Sequence, residues 1–519
     1  MPITPQSETL SWTGQGTGGR AGDVLTALEP VPGQYKLSGG ARRTETVTYL
    51  DTVDWRLHKR HLALSHHRRA SGPGELVLSN ARRTWRTALD ESPSWPAKVD
   101  QLAPGPVRDA ASEAMWVRAV EPVLRSREVV RDVTVLNEDG KTVVRIEWLE
   151  VGSIQPRAEQ PFVRVQVRPV LGYRADAERV VRALVASGRF ERSQTSVFDA
   201  MLHAVVPDAD EDDHASITRG MPADIAIATA LLGFADAIAS NVDGVRRDVD
   251  TEYLHELRVA VRRTRSLLKL AGDVLPADLA SRYAPEFKWL GDVTTPCRDL
   301  DVYLLEIDEL AEGLEAGEPE DLDPFAELLS SRRQAERRRL LRALRSQRFT
   351  LLLDGWRKSL TEVVEAGTAA GGRTIEEFAA DRIRKATRKV VRQARSLTPE
   401  SPSDDIHSLR KRCKELRYLL EMFGPVYDAT AHRRVVKDLK RVQDVLGSFQ
   451  DGEVQSAGLR AYANEMLEHG SPPAATLLAM GELSARFARM QRKARHDLVG
   501  ALERYLRPKT RNRIEAVLQ

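Results

Sequence analysis

Two sets of fixed cations, each led by a histidine, carry the most evident chemistry of this chain. His255, Arg258, Arg262 and Arg265 return as His407, Arg410, Lys414 and Arg417, an offset of 152 residues (407 − 255). The shared pattern is His-x-Leu-Arg-x3-(Arg/Lys)-x2-Arg-x-Leu-Leu. At about 100° per residue, each set spans an arc of roughly 80° on a helix. Arginine offers forked donors and lysine a compact charge, and both match phosphate oxygens. Leu257, Val261, Thr264 and Leu268 form an adjoining stripe suited to a core, as do Leu409, Cys413, Leu416 and Leu420. Arginine-rich helices commonly present a solvated or salt-bridged face. Here few acids share the face, and two such faces brought together would repel each other unless a polyanion lay between them. Lys411 stands beside the second set, and Lys288, Lys437, Lys440 and Arg441 enlarge the candidate patch. Arg382, Arg384, Lys385, Arg388, Lys389, Arg392 and Arg395, with the arginines of 332–345, read as solvated faces. Asp292, Asp299 and their repeats Asp444 and Asp451 are expected to cap helices or hold cations, not to bind a metal.

The same offset pairs Gly272 with Gly424, Lys288 with Lys440 and Val302 with Val454 without a gap, which predicts a duplicated structural unit. Everything after about 218 is helical in period. The first half reads as helices near 222–242, 251–271, 277–292, 298–312, 324–346 and 349–366. The second reads as 374–397, 404–422, 430–446, 451–467 and 474–506. Two similar helical bundles in tandem follow, with halves of about 219–366 and 373–508 inside a domain at 219–508 and a hinge at Gly371-Gly372. Residues 29–203 read as an antiparallel β domain, a barrel carrying a few helices. Its strand-like runs are 46–50, 75–78, 129–136, 142–149 and 162–167, and its helical periods fall at 108–120 and 176–187. Residues 1–28 read as a flexible arm and 204–218 as an acidic linker. Gly14-Gln15-Gly16-Thr17-Gly18-Gly19 resembles a dinucleotide loop only superficially, since no strand precedes it. His58, His61, His66 and His67 lack acids or cysteines at ligand spacing and are expected to face solvent.

The chain has 519 residues and 78 Lys+Arg against 75 Asp+Glu, a formal net charge of +3. A partner that reads charge must therefore meet local patches, because the whole molecule is nearly neutral. Its 42% hydrophobic, 29% charged and 6% aromatic content suits a helix-rich protein. The only cysteines are Cys297 and Cys413, no export signal is evident, and no apolar run approaches the ~20 residues of a membrane span. A reduced cytoplasmic protein without membrane contact is expected.

The motif His255-Glu256-Leu257-Arg258, its repeat His407-Ser408-Leu409-Arg410, and the turns Cys297-Arg298-Asp299-Leu300-Asp301-Val302 and Leu439-Lys440-Arg441-Val442-Gln443-Asp444-Val445-Leu446-Gly447 resemble the CHAD family, the conserved-histidine α-helical domain. The likeness covers about 220–506. It implies two four-helix bundles with pseudo-twofold symmetry and a basic cavity for inorganic polyphosphate. Its members are thought to bring proteins to polyphosphate granules, so granule-associated proteins are implied as further partners. The N-terminal half is similar to the CYTH domain, the triphosphate tunnel barrel, through Tyr49-Leu50-Asp51-Thr52-Val53-Asp54-Trp55-Arg56-Leu57 and Leu62-Ala63-Leu64 leading into Arg68-Arg69.

That second resemblance breaks at its acids. Where the family expects Glu-x-Glu-x-Lys stands Pro32-Gly33-Gln34-Tyr35-Lys36, with the lysine kept and both acids gone, and the late Glu-x-Glu strand reads Arg164-Val165-Gln166-Val167-Arg168. Triphosphate hydrolysis needs carboxylates that hold a divalent ion, and Glu147 with Glu150 make a poor site alone. The expectation is a catalytically inactive barrel, without metal or cofactor, that retains a secondary anion site of Lys36, Arg68, Arg69, Arg127, Arg164 and Arg168. The whole chain is then a non-catalytic polyphosphate binder working through its helices. Two readings compete: a triphosphatase or adenylate cyclase acting through the barrel, and a binder of nucleic-acid backbones. The cationic face lacks aromatics for base stacking apart from Tyr418, which disfavours the last.

Overall fold

The computed structural model describes residues 8–13, 21–69, 72–156, 161–205, 217–367 and 372–518. The chain divides into two units, 1–212 and 213–519. The glycine-rich segment 14–19, the acidic run 207–213 and Gly371 of the expected hinge lie outside the described residues.

The first unit holds β1 (Glu8–Trp12), α1 (Ala21–Ala27), β2 (Lys36–Asp51), β3 (Ala63–Arg68), β4 (Glu75–Ser79), β5 (Thr84–Ala88) and α2 (Pro106–Met115). It continues through β6 (Glu121–Leu136), β7 (Thr142–Gln155), β8 (Phe162–Pro169), α3 (Arg174–Ala186), β9 (Phe190–Arg192) and α4 (Val197–Val205). The nine strands form one antiparallel ladder in the order β5-β4-β3-β2-β6-β7-β8-β1-β9. The expected antiparallel β domain is present. Its ladder ends at β5 and β9, and no pairing between these two closes it among the described residues. Alternation along β7 explains how both faces are used. Ile146 and Trp148 enter a core with Val180, Val181 and Leu184 of α3, whereas Leu149 and Val151 meet Phe198, Met201 and Leu202 of α4. One expectation needs correction. Part of the presumed N-terminal arm is β1, which pairs with β8 and β9 and sets the Trp12 ring edge-on to Phe190 at 4.8 Å and tilted against Trp148 at 5.6 Å. A single strand flanked by small and polar residues carries too little pattern to be read alone.

The second unit is helical throughout: α5 (Ala223–Arg247), α6 (Thr251–Leu270), α7 (Ala277–Glu312), α8 (Asp323–Leu344), α9 (Gln347–Ala366), α10 (Ile375–Ser396), α11 (Ser403–Phe423), α12 (Ala429–His469), α13 (Ala474–Tyr505) and α14 (Pro508–Val517). The duplication is visible in the helix starts. Ala223 and Ile375, Thr251 and Ser403, and Ala277 and Ala429 are each separated by 152 residues (375 − 223, 403 − 251, 429 − 277). The two copies also meet reciprocally. Ala223 N–H donates to the Arg373 carbonyl at 2.9 Å, and Ile375 N–H donates to that of Met221 at 2.8 Å. Their far ends share a core in which Tyr303 and Ile307 of α7 and Phe325 and Leu329 of α8 pack with Leu459 of α12 and Met480 and Leu483 of α13.

Two further expectations change. The segments 277–292 and 298–312 are one helix running through Pro285 and Pro296, and 430–446 with 451–467 are another. An interior proline removes one N–H bond, a cost of about 3 kcal/mol, and tertiary packing along α7 offsets it. In addition, α5 contains an 18-residue window long and apolar enough to cross a membrane by composition, contrary to the sequence reading. Ala226, Ile227, Leu231, Ala235 and Ile238 of this helix are fully buried in the unit.

α6 starts at a capped turn. The Asp250 carboxylate accepts from Glu252 N–H at 2.9 Å and Tyr253 N–H at 3.2 Å. Asp250→Ala is expected to cost about 1 kcal/mol of stability, the usual worth of such a cap. Urea unfolding of the whole chain measures it.

Candidate anion site on the repeated helices

α6 and α11 bury the stripes expected of them. Leu257, Val261, Thr264 and Leu268 are buried on one helix, and Leu409, Cys413, Leu416 and Leu420 on the other. Thr264 tolerates burial because its hydroxyl donates to the Ala260 carbonyl at 2.9 Å. With these faces turned into the core, the histidine–cation faces lie beside them. The two helices touch where the Arg262 guanidinium lies over the Tyr418 ring, 5.4 Å from its centroid.

Arg262 and Lys414 occupy the same repeat position, one on each helix, and their charges act on each other. Burial pushes the Lys414 ammonium down to about 8, and Arg410, Arg262 and Arg417 push in the same direction. Asp451 opposes them only partly. Burial likewise lowers Arg258, with Arg262 and Arg298 adding to the effect. The order Arg258, Arg262, Lys414, Arg410 is thus a cationic row shared by both copies. Asp299 and Asp451 flank it. Both carboxyls are raised by burial, although both residues keep solvent-exposed surface. Asp299 faces Arg258 and Arg298, and Asp451 faces Arg410 and Lys414. These aspartates lie inside α7 and α12 and cap nothing, while the charges of the row act on them.

The histidines sit differently. Burial, followed by Arg298, depresses His255 below its ordinary value. His407 places Nε2 at 2.6 Å from a Glu453 carboxylate oxygen, while its Nδ1 is buried without a partner. The outer cations are less convergent. Lys288 pairs with Asp292 at 2.7 Å, Arg417 with Glu421, and Arg441 with Asp438 at 3.4 Å. Arg265 and Lys411 are exposed on their helices, and Lys437, Lys440 and Asp444 are exposed along α12. Arg265 lies across Gly291, where any side chain would begin 2.9 Å from its Nη1.

Several participants were not found by sequence reasoning. Arg298 acts on both His255 and Arg258, and it donates to the Thr251 carbonyl at 3.1 Å. Thr294 and Thr295 hold Arg258, accepting from its Nη1 at 3.1 and 2.6 Å. Glu453 faces His407. The repeat concealed them, because Gln450, Leu446, Gly447 and Asp301 stand at the equivalent positions.

The β unit separates its candidate anion residues. Thr46 lies opposite both Arg68 and Arg127, which places these two on one face. Arg164 lies opposite Leu149, on the other face. Arg164 donates to Ser11, and Arg168 reaches Glu147 at 3.5 Å. Arg69 is held by Glu45 at 2.9 Å, and Lys36 is exposed at the start of β2. The six residues do not converge on one site. Glu147 is met by Arg43 at 3.9 Å and by Arg168, whereas Glu150 accepts from the Trp148 indole at 3.2 Å. Two acids outside the expected motifs stand on the Leu149 face. Glu45 is drawn down to about 2, chiefly by its hydrogen bond to His67, and burial raises Glu128, which accepts from Tyr49 and Ser126. Among the described residues no three His, Cys, Asp or Glu side chains are grouped to hold a metal ion. The histidine expectation also needs correction: His66 is buried and bonds to the Pro73 carbonyl at 2.8 Å, and His58 pairs with Asp199 at 3.2 Å.

The fold is a nine-stranded antiparallel unit followed by a duplicated helical unit with a shared cationic row. Residues 229–460 match the CHAD domain, and the chain carries a CHAD domain there. An uncharacterized protein of Mycobacterium tuberculosis (strain ATCC 25618 / H37Rv) is 30% identical over 208 residues. That match spans 39% of this chain and 39% of the relative, well under half of either. The CHAD domain of the plant Ricinus communis is 24% identical, covering 56% of this chain and 95% of its own, with a TM-score of 0.46. A Hippeastrum protein described through adenylyl cyclase and a dominant triphosphatase activity is 14% identical, covering 37% of this chain and 92% of its own, with a TM-score of 0.27.

Proposed function

We propose that this chain holds inorganic polyphosphate on its helical unit without cleaving it, and that it associates with polyphosphate granules. The observation that carries this reading is the row Arg258, Arg262, Lys414, Arg410, where Arg262 of one copy lies over Tyr418 of the other and burial, reinforced by Arg410 and Arg262, brings Lys414 down to about 8. Holding like charges close together costs free energy unless an anion joins them. A phosphate chain supplies one negative charge at regular short intervals, and two copies of the cationic face can grip successive units. The non-catalytic part rests on the β unit, where Glu147 and Glu45 are each engaged by arginine.

Titration of the whole chain with long-chain polyphosphate at several salt concentrations tests the reading. Binding is expected to weaken with salt, as it does where cations displace counterions from nucleic acids. Replacing Arg258 and Arg410 together by glutamine is expected to weaken it by at least tenfold, about 1.4 kcal/mol. Unchanged affinity in that variant sinks the proposal. Displacement of polyphosphate by duplex DNA at equal phosphate concentration would instead assign the row to nucleic-acid backbones.

A further inference from the structure

The two copies of the cationic face are built unequally, and the difference lies in what holds their first arginine. Arg258 Nη1 donates to the Thr295 hydroxyl at 2.6 Å, the Thr294 hydroxyl at 3.1 Å and the Gly291 carbonyl at 3.3 Å. Both hydroxyls are oriented as acceptors. Thr294 spends its proton on the Leu290 carbonyl at 2.9 Å, and Thr295 spends its own on that of Gly291 at 2.7 Å. Their lone pairs are left facing the guanidinium. One terminal nitrogen of Arg258 is thus fixed to α7, and its Nε and Nη2 hydrogens remain as donors.

The second copy has no such arrangement. Leu446 and Gly447 stand 152 residues after Thr294 and Thr295, so neither hydroxyl exists. Gln443 stands in the place of Gly291 and donates instead to the Cys413 carbonyl at 2.9 Å. Among the described residues Arg410 makes no hydrogen bond or ion pair, although its charge acts on Asp451 and Lys414.

We propose that Thr294 and Thr295 are positioning residues for phosphate binding: they pre-set Arg258 on one side of the cationic row, while Arg410 on the other side is left to be ordered by the anion itself. The inference rests on the polyphosphate reading above. An arginine already fixed surrenders less rotamer freedom when the anion arrives, so the first copy contributes a prepared contact and the second an adaptable one. A polyanion then meets a site with one rigid and one yielding end.

A double-mutant cycle on the whole chain tests this, with long-chain polyphosphate as the probe. Thr295→Val keeps the shape and removes the acceptor. It is expected to weaken binding about fivefold when Arg258 is present and by less than about 1.5-fold in the Arg258→Ala background, since a residue acting through another loses its effect when that partner is gone. Thr295→Ser, which keeps the hydroxyl, is expected to bind within about twofold of the unaltered chain, the loss of a methyl leaving the acceptor in place. Equal losses in both backgrounds, no loss at all, or a serine variant as weak as the valine one would each overturn the proposal while leaving polyphosphate binding intact. Absence of binding by the unaltered chain would overturn the broader reading and this one with it.

Discussion

Glutamine at both Arg262 and Lys414 is expected to weaken polyphosphate binding about a hundredfold at low salt, near 3 kcal/mol at about 1.4 kcal/mol per tenfold. These two residues are the centre of the row, equivalent in the repeat and acting on each other from α6 and α11. Hydrogen bonds to charged groups contribute roughly 1.5–3 kcal/mol each. The lower end applies here, because the uncharged pair no longer repels itself before binding. That same relief gives the prediction a second readout. Without any anion, the double variant should be at least as stable to urea as the unaltered chain, even after loss of the Arg262–Tyr418 contact, which at an exposed site is worth about 0.5–1 kcal/mol. Weak binding with retained stability assigns the pair to the anion. A marked fall in stability would show that both cations serve the fold.

The features legible in the sequence were those the duplication preserved. The offset of 152 residues appears again in three pairs of helix starts, and the buried stripes of α6 and α11 are the ones the heptad-like spacing marks. Whatever differs between copies was invisible to that comparison. Thr294 and Thr295 give way to Leu446 and Gly447, so a search for recurrence passed over the residues that fix Arg258. Local punctuation misled in the opposite sense. The sequence reading separates 277–292 from 298–312, yet α7 continues through Pro296, because neighbouring helices supply packing that one missing N–H bond does not undo. In the β unit the difficulty was face, not element. Arg68 and Arg127 share one side of the ladder and Arg164 the other, a distinction set by cross-strand register that a list of basic positions does not contain. Glu45 and Glu128 were missed because they lie outside the expected motif, and only pairing β2 with β6 brings them opposite each other.

Polyphosphate affinity is expected to fall as pH rises above about 8, and Lys414 sets the window. Burial, Arg410 and Arg262 bring its ammonium down to about 8 in the free protein, with Asp451 acting against them. A bound phosphate restores the charge, so the bound-state value must be higher. Below about 8 the lysine is charged with or without ligand, and affinity is level. Between that point and the bound-state value, the free lysine is neutral and the complex carries one more proton, so affinity drops by up to about tenfold per pH unit. Above the bound-state value the slope disappears. The unliganded fold shows the opposite trend. Its lowered lysine binds fewer protons than the unfolded chain between about 8 and the ordinary lysine value of 10.5, so stability rises with pH over that interval. His255, held below its ordinary 6.5, titrates below this window. Calorimetry at pH 8.5 in two buffers of different ionisation enthalpy should register net proton uptake on binding. Lys414→Arg, charged throughout, should abolish the uptake and flatten the profile while retaining affinity. Uptake that persists in that variant would place the titrating group elsewhere in the row.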